Sequence, residues 1–428
     1  MPDRTIAPVC YPLTIPDLIA PQTEMMPCGT ELAIYASDSQ SLASVEMIFP
    51  FSGLETRKRQ LERFTFKMLL EGTVLHTAKQ LADAVSFLGA TVEVLHTPDY
   101  ESVQISCLGR VLPGVLAIWK EIWENSIFPE KEWKTIQETT RQQNAINLQK
   151  TSYLAGSLLK ETLYTAKADY GYSFDTELLD SFSTDDFKAC FSALKKTGPA
   201  LLVMAGKISS DSIALWKEWL HGFSGIGSKA LWSPDAFPEI TGQAIWSEKA
   251  DAQQASLRIG QWSIPKTHPD SPVWNLVLEI YGGYFGSRLM SNIREDKGWT
   301  YGVFSHRVGN LMKPYWLIGA DIKGDVVKEA LAEINKEAEI LRNEPVSEEE
   351  LDLVKNYMAG QFLSSIPHCF GLADRYKSLW IYGISLAQST ENLRRIQEAG
   401  PAEVQEIAAK YLWPEKSVAA ISGIRQPV

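Results

Sequence analysis

Six histidines, five cysteines and 52 acidic residues are the groups in this 428-residue chain that could hold a metal, move a proton or attack a substrate. The histidines are His76, His96, His221, His268, His306 and His368, and no two are close enough to share a helical turn. No helix can therefore offer two adjacent imidazoles to a metal. The cysteines, Cys10, Cys28, Cys107, Cys190 and Cys369, are odd in number and never form a Cys-x-x-Cys pair. Neither a disulfide framework nor a thiolate zinc site is indicated, and buried free thiols are expected. The run "GGYFGS" (282–287) lacks the Gly-Lys-Ser/Thr ending and preceding strand of a phosphate loop, and no Gly-x-Ser-x-Gly elbow marks a nucleophilic serine. Two other stretches merit attention: "RFTFKMLLEGT" (63–73) and "GGYFGSRLMSNIREDKGWTYGVFS" (282–305).

These stretches must be positioned by a chain too long for one core, so two or more domains are expected. Apolar residues make up 45% and charged residues 22%, the composition of a soluble globular protein. With 52 acidic against 41 basic residues the net charge is -11, which argues against a polyanion such as nucleic acid as partner. The N-terminus, "MPDRTIAPVCYPLTIPDLIAPQ", has five prolines and no continuous apolar stretch, so no signal peptide is expected there. No run approaches the roughly 18 apolar residues of a membrane helix. A cytoplasmic location is expected.

The element pattern is written twice. Helical "TAKQLADAVSFLG" (77–89) precedes alternating "TVEVLH" and "SVQISCL", separated by the polar turn "TPDYE". A helix then places Leu112, Val115, Leu116, Trp119, Ile122 and Trp123 on one face, and another opens at "FPEKEW" with proline in its first turn. In the second half Ser271 and Pro272 read as cap and first helical position, with Val273, Leu276, Val277, Ile280 and Tyr284 continuing at helical spacing. Strand-like "YGVFSHRV" and "YWLIGADI" follow, then a helix burying Val327, Leu331, Ile334, Ala338 and Leu341, and a Ser-x-x-Glu capping box in "SEEE" (347–350). Each half closes on a helix and a strand ending in glycine. Ser102 to Tyr315 is 213 residues, Glu130 to Glu348 is 218 and Gly206 to Gly423 is 217. A nearly constant offset predicts a duplication: an α+β fold of two homologous α/β-sandwich domains, each a mixed sheet with helices on one face. The expected division is residues 1–222, a Gly/Ser/Pro-rich linker at 223–243, and residues 244–428.

The stretch 282–305 resembles the second-domain signature of the insulinase/pitrilysin metallopeptidases, which include mitochondrial processing peptidases. The matching positions are Gly286, Ser287, Arg288, Leu289, Arg294, Glu295, Gly298 and Tyr301, and the duplicated organisation extends the resemblance over nearly the whole chain. The resemblance implies that Arg294 and Tyr301 bind substrate, reaching across to the scissile bond. A guanidinium offers planar donors to peptide carbonyls, and a phenol can donate to a developing oxyanion.

The family's first domain carries His-x-x-Glu-His, two zinc-binding histidines around a glutamate general base, followed by Met-Leu-x-x-Gly-Thr, with a further glutamate ligand roughly 75 residues on. Here "MLLEGT" (68–73) is intact and fixes the register: Arg63 and Lys67 stand at the histidine positions and Phe66 at the glutamate. Cations without lone pairs cannot ligate, and phenylalanine cannot accept a proton. The distal ligand position falls at Gln142 or Gln143 in "TRQQN", where the carbonyl lacks a carboxylate's charge. No catalytic residue and no metal or other cofactor is therefore expected on this chain. "SIPKTHPDSPVW" stands where mitochondrial non-catalytic subunits of the family carry a long glycine-rich loop, which argues against presequence processing.

Bacterial relatives of this kind resemble heterodimers in which one chain bears zinc and the other the Arg/Tyr pair. The expected function is that of the non-catalytic subunit, inactive alone, orienting peptide at the zinc site of a paralogous partner. The alternative is a scaffold or core protein of a larger assembly with no role in proteolysis.

Overall fold

A computed structural model of the protein describes residues 15–51, 55–164, 169–171, 175–226 and 237–424. Cys10 and residues 227–236 of the expected linker lie outside the described residues. The first half runs β1 (Gln22–Met25), β2 (Glu31–Ala36), β3 (Leu42–Pro50), α1 (Thr56–Met68), α2 (Ala78–Phe87), β4 (Thr91–His96), β5 (Tyr100–Leu108), α3 (Leu112–Asn125), α4 (Glu130–Asn147), α5 (Thr151–Tyr164), α6 (Thr176–Asp180), α7 (Thr184–Leu194), β6 (Thr197–Gly198), β7 (Leu201–Gly206), α8 (Ser210–Leu220) and β8 (Gly225–Ile226). The second runs β9 (Gln243–Glu248), β10 (Gln254–Trp262), α9 (Ser271–Leu278), β11 (Thr300–Val308), β12 (Tyr315–Lys323), α10 (Val327–Asn343), α11 (Glu348–Ser365), α12 (Cys369–Tyr382), α13 (Leu386–Glu398), α14 (Pro401–Tyr411) and β13 (Val418–Gly423).

The two sheets have one topology. Strand order is β1-β2-β7-β3-β5-β4 in the first and β11-β12-β10-β13-β9 in the second. In each, the last long strand pairs in parallel with the first of the shared set, β7 with β2 and β13 with β9, and antiparallel with its other neighbour, β3 or β10. This is the duplication that the offset of about half the chain predicted. Val103, Ile105 and Cys107 of β5 alternate into the first core, where the six predicted residues of α3 are all buried. The second core is built the same way, on α9, α10 and α14.

Each half's own helices cover one face of its sheet, as expected, and each lends a helix to the other face of its counterpart. Helix α12 sets Cys369, Leu372 and Ala373 against Ala33, Tyr35, Leu201 and Val203 of the first sheet. Helix α5 sets Leu159, Leu163 and Tyr164 against Tyr315, Val418 and Ala420 of the second. A fully buried leucine contributes roughly 1.5–3 kcal/mol, so this exchange couples the halves through apolar burial. Polar contacts fix its register: Tyr164 donates to the Lys313 carbonyl at 2.6 Å and accepts from Asn310 Nδ2 at 2.7 Å. Across the other exchange Trp380 Nε1 donates to Glu31 at 3.0 Å and Lys377 Nζ to Glu46 at 2.6 Å.

Three local expectations differ from the structure. The N-cap of α9 is Asp270, which moves Ser271 and Pro272 one step into the helix. The chain continues past Leu278 as a π-helical turn at Glu279–Gly283 and is extended at Tyr284. The capping box at 347–350 is half made: Ser347 accepts from the Glu350 amide, while the Glu350 carboxylate accepts two bonds from Arg288, at 2.9 and 2.8 Å. A bidentate charged pair outcompetes the return bond to the cap.

Candidate functional site

Helix α1 packs its inner face on the first sheet, and this decides what its three substituted positions do. Phe66 is 2% exposed, with its ring 5.0 Å from Phe49 and 6.5 Å from Trp123. It is a core residue. Arg63 reaches the first sheet: Nη2 donates to the Thr97 carbonyl at 3.2 Å and Nε lies 3.5 Å from Glu101 Oε1. Glu101 is buried and also hydrogen-bonds His96 Nδ1. Lys67 points the other way, into a polar hollow of about 390 Å³ lined by Thr139, Thr140, Gln143, Asn144 and Tyr153. Burial lowers its pKa from the ordinary lysine value, with Glu71 opposing that shift. Of the two candidate distal positions, Gln143 lines this hollow beside Lys67, and Gln142 is exposed on α4.

The residues at this position do not fit zinc. The ligand positions hold a guanidinium already engaged with a carboxylate, an ammonium and an amide, and the general-base position is filled by a core aromatic ring. Among the described residues, no group of three or more His, Cys, Asp or Glu side chains is placed to hold a metal. The exit from the helix keeps its shape. Leu69–Glu71 form a short 3₁₀ turn and Gly72 adopts φ 139°, a conformation L side chains avoid. Thr73 then donates to Glu121 at 2.6 Å, and His76 Nδ1 meets the same carboxylate at 2.7 Å.

The second half presents Arg294 and Tyr301 on either side of one turn. A π-helical segment, Met290–Asp296, carries Arg294, and Asn292 ties it to α10 by donating to Glu333 at 2.9 Å and Glu337 at 2.6 Å. Gly298, at φ 61°, donates to the Arg294 carbonyl at 3.1 Å and turns the chain into β11. The β11–β12 register runs Thr300↔Ile322 and then Val303↔Ala320, so Tyr301 and Gly302 together oppose Asp321. This bulge throws Tyr301 off the ladder. It is 92% exposed, with Phe285 nearby in the chain also open at 64%. The Arg294 guanidinium lies 4.2 Å from the Phe285 ring centroid and 3.7 Å from Glu295. The remaining motif residues are structural: Ser287 and Leu289 are buried, and Arg288 anchors α11 through Glu350. Arg294 and Tyr301 thus flank one turn, and the Arg294 guanidinium meets Phe285 and Glu295 of its own half. Sequence reasoning missed the Arg63–Glu101–His96 cluster, whose members are joined only by the folding of α1 onto β4 and β5.

Helix α1 thus keeps its place on the first sheet while Phe66 serves the core and Arg63 a buried carboxylate. Residues 181–358, which include the Arg294/Tyr301 turn, match the family described as Peptidase M16 inactive domain. The chain is 21% identical over 311 residues to the "Uncharacterized zinc protease YmxG" of Bacillus subtilis, covering 72% of this chain and 74% of that one. Over 128 residues, 30% of each chain, it is 26% identical to "Probable inactive metalloprotease YmfF" of the same organism. A crystal structure of a peptidase M16 inactive domain from Pseudomonas fluorescens has the same fold, with a TM-score of 0.82, 21% identity, and coverage of 95% of this chain and 98% of that chain. No helix among the described residues is long and apolar enough to cross a membrane.

Proposed function

We propose that this chain is the non-catalytic subunit of a heterodimeric zinc metallopeptidase, presenting Arg294 and Tyr301 to peptide at a paralogous partner's site. The observation that carries the reading is the bulge at Tyr301 and Gly302: a phenol left 92% exposed by an interrupted ladder. A tyrosine whose role was packing would turn inward. Arg294, held by the Asn292 anchor and the Gly298 turn, offers guanidinium donors to substrate carbonyls, and Tyr301 donates its hydroxyl proton to the oxyanion that develops at the scissile carbonyl. The zinc, its water and the general base belong to the partner.

Neither chain alone should cleave peptide efficiently, and mixing them should create activity. Arg294→Ala should lower that activity without weakening the complex if the guanidinium serves substrate, as proposed. Unchanged turnover with an intact complex sinks the proposal in favour of a scaffold without a role in proteolysis.

A further inference from the structure

A second site lies behind the exchanged helix α12, away from the Arg294/Tyr301 turn. A cavity of about 410 Å³ opens between α9, α11, α12, α13 and β11, within the size range of small-molecule sites. Three cations from separate elements line it: Lys266 from the loop before α9, Arg307 from β11 and Arg375 from α12. All three are engaged by neutral groups. Arg307 Nη1 donates to Ser271 Oγ at 2.8 Å and to the Ile264 carbonyl at 3.4 Å. Arg375 Nη2 donates to Ser389 Oγ at 2.7 Å, while its buried Nε has no hydrogen-bond partner. Lys266 Nζ lies 3.7 Å from the centroid of the Tyr382 ring. Among the described residues, no carboxylate forms a salt bridge with any of the three.

This arrangement is costly without a ligand. Burial pushes the Lys266 ammonium down to about 8, with Arg307 and Arg375 adding repulsion, and burial brings the Arg307 guanidinium down to about 10. The one carboxylate in the lining, Glu279, has its own pKa raised by burial. Its oxygen sits 2.5 Å from where a Cβ on Gly283 would stand, so it folds back on its own turn rather than toward the cations. Lys266, Arg307 and Arg375 are half-buried, and charges drawn out of water ordinarily come paired. The net charge of -11 gives the molecule no general attraction for anions, so a local cationic hollow of this kind is site-specific.

We propose that the cavity binds a small multivalent anion bearing phosphate or carboxylate groups, which would engage Lys266, Arg307 and the free donors of Arg375 together. The idea is independent of the partner-dependent peptidase reading. The test is isothermal titration calorimetry on the full chain at pH 7.5 and constant ionic strength, with pyrophosphate in one arm and citrate in the other. The wild type should bind at least one of them. Pyrophosphate alone identifies phosphate as the recognised group, and citrate alone identifies carboxylate. Arg375→Gln and Lys266→Met should each weaken binding at least tenfold, the scale of one lost charge-assisted hydrogen bond. Lys79→Met, on an exposed surface pair with Asp83, should bind as the wild type does. Circular dichroism of the two pocket variants shows whether they are folded, and Lys266→Met should melt no earlier than wild type without anion, because it relieves repulsion. The proposal is overturned if neither anion binds the wild type, or if folded Arg375→Gln and Lys266→Met bind as tightly as the wild type does.

Discussion

Writing the zinc motif back into α1, Arg63→His with Phe66→Glu and Lys67→His, should unfold the protein rather than activate it. Phe66 fills the space between Phe49 and Trp123 at 2% exposure. Removing a buried phenylalanine costs about 3–5 kcal/mol, and a carboxylate in its place adds desolvation. Arg63→His withdraws the guanidinium from Glu101, which is 1% exposed. Breaking a buried pair costs about 3–5 kcal/mol, discounted here because the Arg63 side chain is 24% exposed. Lys67→His should be nearly neutral, since burial already disfavours the Lys67 charge. The expected order of destabilisation is Phe66→Glu, then Arg63→His, then Lys67→His. The first two together approach the roughly 5–15 kcal/mol that holds a typical domain. Urea unfolding followed by tryptophan fluorescence, with chelator present so that metal cannot contribute, measures each step. A triple variant with a wild-type midpoint in chelator, which then takes up zinc stoichiometrically, refutes the argument that these positions now serve the core.

Further outcomes concern other parts of the molecule. Gly298→Ala forces a side chain into φ 61° and should cost about 1 kcal/mol in a urea melt, while also lowering partner-dependent turnover by displacing Arg294 relative to Tyr301. Tyr164→Phe strips the partner from Asn310 Nδ2 and the Lys313 carbonyl; the loss should be about 1–3 kcal/mol, read as a lower thermal midpoint. For Lys266 the folded pKa, about 8, lies below the ordinary lysine value, with Arg307 and Arg375 facing it and Glu279 turned away. Its destabilising effect is therefore fully present below pH 8 and is relieved as pH rises toward about 10.4. Relative to Lys266→Met, the wild type should gain roughly 1 kcal/mol per pH unit above pH 8, and a constant difference in paired urea melts at pH 7.5 and 9 would contradict it.

Much of the fold was legible because its signals are local and repeated. Val103, Ile105 and Cys107 announce a half-buried strand by their spacing, and Trp119 and Trp123 announce a buried helix face. The offset between Gly206 and Gly423 showed that one plan is used twice. The exchange of α5 and α12 was hidden, because an apolar stripe such as Leu159 and Leu163 does not say which sheet it will meet. The bulge beside Tyr301 was also hidden, since it arises from a register set across strands by Ile322 and Ala320. At the candidate site, the identities of Arg63, Phe66 and Lys67 could be read from the Met-Leu-x-x-Gly-Thr anchor. Their present work could not, because Glu101, Phe49 and Trp123 come from distant parts of the chain. Lys266, Arg307 and Arg375 are likewise far apart in sequence and form a cavity only through tertiary packing.

What Tyr301 does once a zinc-bearing partner is present decides whether this chain takes part in proteolysis. The most direct measurement is the steady-state turnover of a fluorogenic peptide by the mixed complex, wild type against Tyr301→Phe, with complex formation checked by analytical ultracentrifugation. Loss of one oxyanion donor predicts a fall in kcat on the order of 10²-fold with KM and association little changed. A Tyr301→Phe complex that assembles normally and turns over at the wild-type rate contradicts the account.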